Sequence, residues 1–266
     1  MTIRLLLPCL LLIALFVTPA DAAVKKVVKK RYSPCKISYP SDARVEWECY
    51  RLKRKETLES LFGERWQDVA RFNRIDRRHA WPGMTLRLPK RLDDIKDFTP
   101  LPAIFPAAEK DEKFILVDLT EQFLGAYEKG RLVFSYPIAS GDSTYLTPTG
   151  EFQVTAYSRN HVSSLYKIEK TTIPYPMHYA LRFFINRKEV AFWIHGRDVP
   201  GYPASHGCVG LYDEEMQQKY YKFPKEPVLK AARTLYEWAI APNPDDGGLN
   251  ALKNGPRVLI IGESPI

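Results

Sequence analysis

Ser205-His206-Gly207-Cys208-Val209 is the stretch on which the reading of this chain turns. Thirteen residues before the cysteine stands His195, after the apolar run Ala191-Phe192-Trp193-Ile194. A thiol attacks as its thiolate, and a nearby imidazole can take the proton and stabilise the sulfur anion. Gly207 permits the close backbone approach that an oxyanion hole needs, and Ser205 can hydrogen-bond and orient the loop. A strand ending in His195 would hold the imidazole on rigid backbone. The segment 196–204, with Pro200, Gly201 and Pro203, reads as the loop that exposes it.

Outward from this stretch the sequence reads as strands. Residues 114–119, 181–185, 191–194 and 257–261 are apolar runs of strand length, and Glu151-Phe152-Gln153-Val154-Thr155-Ala156-Tyr157 alternates. Residues 123–127 and 132–136 flank Glu128-Lys129-Gly130-Arg131, a hairpin signal. Asp213-Glu214-Glu215-Met216 opens a helical stretch, and residues 227–240 carry Val228, Leu229, Ala232, Leu235, Tyr236 and Ala239 at helical spacing. Fifteen Tyr and thirteen Phe favour sheet over a helix bundle. The expectation is an α+β, β-rich domain over residues 112–263.

The first part of the chain has a different texture. Arg4, an apolar stretch to Val17 and Ala20-Asp21-Ala22 read as a cleaved export signal over residues 1–22. The stretch is shorter than the ~20 apolar residues a spanning helix needs, so no integral membrane segment is expected after cleavage. Residues 23–44, with Lys25-Lys26-Val27-Val28-Lys29-Lys30-Arg31, read as a basic linker. Residues 45–90 read as strand, helix, helix, strand, with Thr57 as a cap, Gly63 as a stop and Pro82-Gly83 as a turn. Pro100, Pro102 and Pro106 make residues 91–111 an extended spacer. Cys9 would leave with the signal and Cys35 and Cys49 form a candidate disulfide. Cys208 is then an odd thiol in an oxidising compartment. A formal net charge of +8 suits acidic wall polymer, anionic lipid or nucleic acid, and charge alone does not choose among them. The export signal places the chain in the periplasm or cell envelope, with no nucleic-acid partner.

Ile194-His195-Gly196 followed by Ser205-His206-Gly207-Cys208-Val209 resembles the catalytic domain of L,D-transpeptidases of the YkuD type. Pro148-Thr149-Gly150-Glu151-Phe152 and Pro176-Met177 with Tyr179-Ala180-Leu181-Arg182 extend the resemblance. It implies a mixed, β-sandwich-like fold and a cysteine acyltransferase acting on peptidoglycan stem peptides, with no metal or organic cofactor. Cys208 would be the nucleophile, and His195 the base and then the acid. Gly196 would orient the imidazole through its carbonyl. Ser205, His206 and Gly207 would shape the site and its oxyanion hole. Met177, Tyr179, Arg182 and Gly210 would face substrate. Two residues after the cysteine the family usually has Arg or Asn, where Gly210 stands here.

Tyr50, Thr57-Leu58, Leu61-Phe62-Gly63, Val69, Asn73 and Pro82-Gly83-Met84-Thr85-Leu86-Arg87-Leu88-Pro89 resemble a LysM domain. This implies binding to N-acetylglucosamine glycan strands, although Lys55-Glu56 stands where the family commonly has Gly-Asp. Three rivals remain at this level. A zinc site from His195, His206 and Cys208 lacks the paired Cys-x-x-Cys spacing of thiolate sites. Water in place of an amine would make the enzyme an L,D-carboxypeptidase or amidase. A wall-binding protein without catalysis would make Cys208 dispensable. The acidic residues form no pair suited to a glycosidase.

Overall fold

The computed structural model describes residues 32–265, so the expected export signal and the Lys25–Arg31 run lie outside the described residues. From Tyr32 onward the expected basic linker is folded. Pro34–Lys36 and Pro40–Arg44 form 3-10 turns, each opened by a proline at its first position. Tyr39, Ser41 and Asp42 are buried. The reason is charge. Asp42 pairs with Arg74 at 3.0 Å and with Arg87, while Ser41 Oγ donates to Glu121 at 2.5 Å. Arg74 also reaches Glu121 at 3.2 Å and lies 3.9 Å from the Tyr39 ring centroid. A segment that carries the counter-charge of two buried arginines does not remain a solvated linker.

Strand β1 (Trp47–Arg51) leads to helices α1 (Leu58–Phe62) and α2 (Trp66–Phe72), then to β2 (Thr85–Pro89), which pairs antiparallel with β1. Cys35 and Cys49 are disulfide-bonded. Thr57 caps α1 by accepting the Ser60 amide at 3.1 Å, and Gly63, at φ 52°, ends it. The buried Asn73 side chain donates to the carbonyls of Val69 and Arg87, fastening α2 to β2. The element order is the one the periodicity predicts.

Residues 91–111 differ from the expected free spacer. The segment forms 3-10 turns at Leu92–Ile95 and Pro106–Ala108 with bends between them, and Ile95, Phe98, Leu101 and Ala108 are buried. They join one apolar cluster that holds Phe72 and Leu86 together with Phe114, Leu116, Phe123 and Tyr127. Phe98 meets Phe72 and Phe123 edge-on at 5.1 and 6.1 Å. Apolar side chains around the prolines gain more from burial than from hydration, so the segment lies inside a shared core.

The remainder forms two five-stranded sheets. Strands β3 (Phe114–Asp118), β4 (Phe123–Glu128), β5 (Arg131–Pro137) and β6 (Gly150–Gln153) belong to the first. Lys129 and Gly130, both at positive φ, close the β4–β5 hairpin as a primed turn requires. β7 (Ala156–Ser158) begins the second sheet. The single strand predicted over 151–157 is thus two strands. Val154 bonds to Pro256 and Thr155 to Arg182, and the chain changes sheets between them. β8 (Val162–Lys167) and β9 (Pro174–Pro176) form a separate two-stranded arm. Then come β10 (Ala180–Ile185), β11 (Ala191–Arg197), β12 (Val209–Tyr212), α3 (Glu214–Tyr221), α4 (Ala231–Ile240), β13 (Asn250–Ala251) and β14 (Arg257–Ile261).

The sheet orders are β5-β4-β3-β14-β6 and β12-β11-β10-β7-β13. Ile115, Val117, Leu124 and Val258 of the first sheet share a core with Leu181, Ile194, Val209 and Leu211 of the second, and with Leu235 and Tyr236 of α4. Strand alternation sends the intervening residues, Ala180, Trp193 and His195, to the other face of the second sheet. Among the described residues no helix is long and apolar enough to cross a membrane.

Candidate active site

β11 and β12 run parallel, with Ile194 opposite Val209 and His195 opposite Gly210. Cys208 therefore enters β12 beside Trp193, on the face that bears His195. The cysteine is part-exposed and packs against Met177, Ala180 and Trp193. His195 is only 4% exposed. Its Nδ1 lies 2.8 Å from the Gly196 carbonyl oxygen, which can only accept, so Nδ1 carries the proton. The lone pair is left on Nε2, the form a general base needs.

The resting pair is neutral. Burial pushes the His195 imidazole down to about 3, helped by Arg197, His161 and His178 and opposed by the Gly196 carbonyl. Burial pushes the Cys208 thiol up, opposed by a Trp193 backbone hydrogen bond and the Arg197 charge. A standing thiolate–imidazolium pair is thus disfavoured, and proton transfer accompanies attack on a carbonyl instead of preceding it.

Four predicted residues form the loop. Ser205 is buried, and its Oγ accepts the Gly207 amide at 3.0 Å and donates to the Cys208 carbonyl at 2.5 Å. The Gly207 amide is therefore engaged within the loop in this state, where an oxyanion donor was expected. Gly207 has φ 103°, and a Cβ there would lie 2.6 Å from the Phe192 ring, so only glycine fits. His206 is exposed, stacks on Tyr166 at 4.2 Å and meets the Tyr145 ring at a tilt at 4.5 Å, at the rim of the site.

The expected substrate residues separate. Met177 belongs to the apolar cluster against which Cys208 packs. Arg182 lies over the Trp193 ring at 5.9 Å. The Tyr179 hydroxyl turns away to donate to Glu215 at 2.8 Å, so this residue supports α3 instead of facing the thiol. Gly210 lies opposite His195, where its missing side chain leaves room for Arg197.

This face holds residues beyond the predicted set. His161 stacks on Trp193 at 4.3 Å, and the His178 carbonyl accepts the Gly196 amide at 2.8 Å. Asp213 caps α3 through Met216 at 2.9 Å, while its Oδ2 is buried without a hydrogen-bond partner. Burial pushes this carboxyl up to about 7. A Cβ at Gly196 would lie 2.3 Å from Asp213 Oδ2, which explains the glycine. The period-2 spacing of Trp193, His195 and Arg197 was the available signal for Arg197. Asp213 gave none beyond its capping position.

Asp76, His79 and Asp198 come within metal-ligand reach of one another. Their atoms are already engaged with the Val199 amide, Gln217 and Arg78, so the group reads as a hydrogen-bonded seam. His195, His206 and Cys208 form no such group, since His206 is held at the rim between the two tyrosines.

The YkuD family, described as the L,D-transpeptidase catalytic domain, matches residues 112–239. Residues 112–239 are an L,D-transpeptidase catalytic domain. Among solved structures, an L,D-transpeptidase from Stackebrandtia nassauensis is 21% identical at a TM-score of 0.40, over 77% of this chain and 69% of that one. An L,D-transpeptidase from Xylanimonas cellulosilytica is 22% identical at a TM-score of 0.40, over 73% and 79%. L,D-transpeptidase 1 of Mycobacterium tuberculosis is 14% identical at 0.36, over 56% and 61%. No curated protein matches the chain. The protein is an enzyme of the L,D-transpeptidase type, and peptidoglycan is its substrate class.

Proposed function

We propose that the domain performs acyl transfer between stem peptides through a thioester on Cys208. His195 Nε2 takes the thiol proton as the sulfur adds to the carbonyl that precedes the terminal D-alanine of a tetrapeptide donor. The tetrahedral oxyanion collapses, the carbon–nitrogen bond breaks, and the same imidazole returns the proton to the leaving D-alanine amine. An amine of a neighbouring stem, deprotonated by His195, then attacks the thioester. The product is a direct 3-3 cross-link and a regenerated thiol. The observation that carries this reading is the parallel register that puts Cys208 and the Nε2-basic tautomer of His195 on one face.

The chain is read as exported to the envelope, where its substrate lies. The LysM resemblance of residues 45–90 supports glycan-strand binding, which would raise the local concentration of stems. Incubation with tetrapeptide muropeptides and with a carbapenem, read by mass, tests the proposal. Cross-linked dimers and one covalent carbapenem adduct are expected, both lost in Cys208→Ser. Tripeptides without dimers would assign hydrolysis instead, and an adduct retained by Cys208→Ser would remove the site.

A further inference from the structure

Gly210 and Arg197 occupy each other's space. A Cβ built on Gly210 would fall 1.8 Å from Arg197 Cδ and 2.0 Å from Cγ, so the arginine stem lies across the bare strand where a side chain would stand. Gly210 is fixed there from both sides, by its register with His195 and by two backbone bonds to Ala139 at 2.9 and 3.0 Å. The guanidinium then donates from Nε to the Asp198 carbonyl at 3.1 Å and from Nη2 to the Ala204 carbonyl at 3.0 Å. Ala204 directly precedes the Ser205–Cys208 loop. Among the described residues Arg197 makes no ion pair, because the neighbouring Asp198 carboxylate is turned to Gln217 and Arg78. A part-buried cation bound only to carbonyls keeps its charge for an anion that forms later.

We propose that Arg197 is a positioning residue of the reaction, laid across Gly210 so that it ties down the loop leading to Cys208 and sets a fixed positive charge beside the thiol–imidazole pair. This rests on the reading of Cys208 as the nucleophile. The charge does two things. It favours the sulfur anion as the proton leaves, and it keeps His195 neutral and ready to receive that proton. The other groups that face the pair do not substitute for it. Burial favours the neutral forms of His161 and His178, Arg182 lies over the Trp193 ring, and burial favours the protonated forms of Tyr166 and Tyr175. Asp213 approaches through Gly196, and burial likewise favours its protonated form. The two positions form one device. Glycine at 210 is what admits the arginine from the next strand.

The test is the pH profile of Cys208 alkylation by iodoacetamide in the full chain, with carbapenem acylation measured beside it. Arg197→Gln is expected to move the alkylation midpoint up by about half to one pH unit and to slow reaction at neutral pH about three- to tenfold. Arg197→Lys, which keeps a charge, should recover most of that rate. Gly210→Ala should reproduce the glutamine phenotype by evicting the stem, and should add little in an Arg197→Gln background. A profile unchanged in Arg197→Gln, a lysine variant as impaired as the glutamine one, or additive effects at the two positions would overturn the proposal. A wild-type thiol inert to both reagents would defeat the nucleophile itself, and the role of Arg197 with it. A reactive wild type with an unmoved variant defeats Arg197 alone.

Discussion

Two histidines, one part-buried and one buried, show how differently this chain treats charge in its two regions. His79 sits at the seam between the N-terminal segment and the catalytic sheets, with Nδ1 2.7 Å from Asp76. Burial works against its protonation, yet the Asp76 carboxylate outweighs burial and holds the imidazole above its ordinary range. His195 is buried more deeply and faces Arg197 and two other imidazoles, and it is pushed down to about 3. Burial alone therefore fixes neither sign. At the seam Arg77 lies between Glu59 and Glu214, and Arg74 between Asp42 and Glu121. At the site the arginine meets only carbonyls. A seam of paired charges resists opening, whereas a site of neutral groups beside an uncompensated cation favours charge that develops during a reaction.

The sharpest way to break this contrast is to remove the seam. The N-terminal segment covers Phe114, Leu116, Phe123 and Tyr127, which belong to the catalytic sheet. A fragment beginning at Glu112 is expected to aggregate on expression and to lose carbapenem acylation. A soluble fragment that acylates at the full-length rate would show that the two regions are separable. A point change asks the same question more gently. Arg74→Met leaves Asp42 and Glu121 facing each other in the interior and should lower unfolding free energy by about 3–5 kcal/mol in urea titrations. A loss below about 1 kcal/mol would mean that the remaining Arg87 carries the cluster alone.

The seam was the part least legible in the sequence. Local signals placed the Thr57 cap, the Lys129-Gly130 turn, the helix read over 227–240, which forms over Ala231–Ile240, and the strand that carries His195, because each depends on residues close in the chain, whereas the strand Val209–Tyr212 after Cys208 went unread. Cysteine and histidine were likewise visible as chemistry. The linker reading of residues 32–44 and the spacer reading of 91–111 failed for the opposite reason. Basic and proline-rich composition describes a segment in isolation, but Asp42 is buried by arginines far along the chain and Phe98 by Phe72 and Phe123. The division of residues 151–157 between two sheets is also non-local, since alternation reads the same on either sheet. Arg197 escaped notice because its role depends on a glycine across the sheet.

The two histidines predict opposite pH dependences. For His195 the folded pKa lies below the unfolded value, so the unfolded chain gains the proton first as pH falls. Stability is lost on descending through about 6.5 toward 3. Asp213, raised to about 7, works the other way, so the informative quantity is the wild type minus His195→Asn. Between pH 6.5 and 5 the wild type should lose on the order of 1–2 kcal/mol that the variant keeps, read from urea midpoints at each pH. Parallel curves would show that the imidazole is hydrated in solution.

His79 should give the smaller and reversed effect. Its folded pKa lies above the unfolded one, so the stabilisation it adds is fully present below about 6.5 and is lost as pH rises through the folded value. His79→Gln should therefore cost about 1 kcal/mol at pH 6, and the two curves should converge by pH 9. A residual difference at pH 9 belongs to the Nδ1–H bond to Asp76, which survives deprotonation of the ring. Equal losses at both pH values would assign the whole contribution to that hydrogen bond and to packing against Trp81, 5.7 Å away, and would take the paired charge out of the account of the seam.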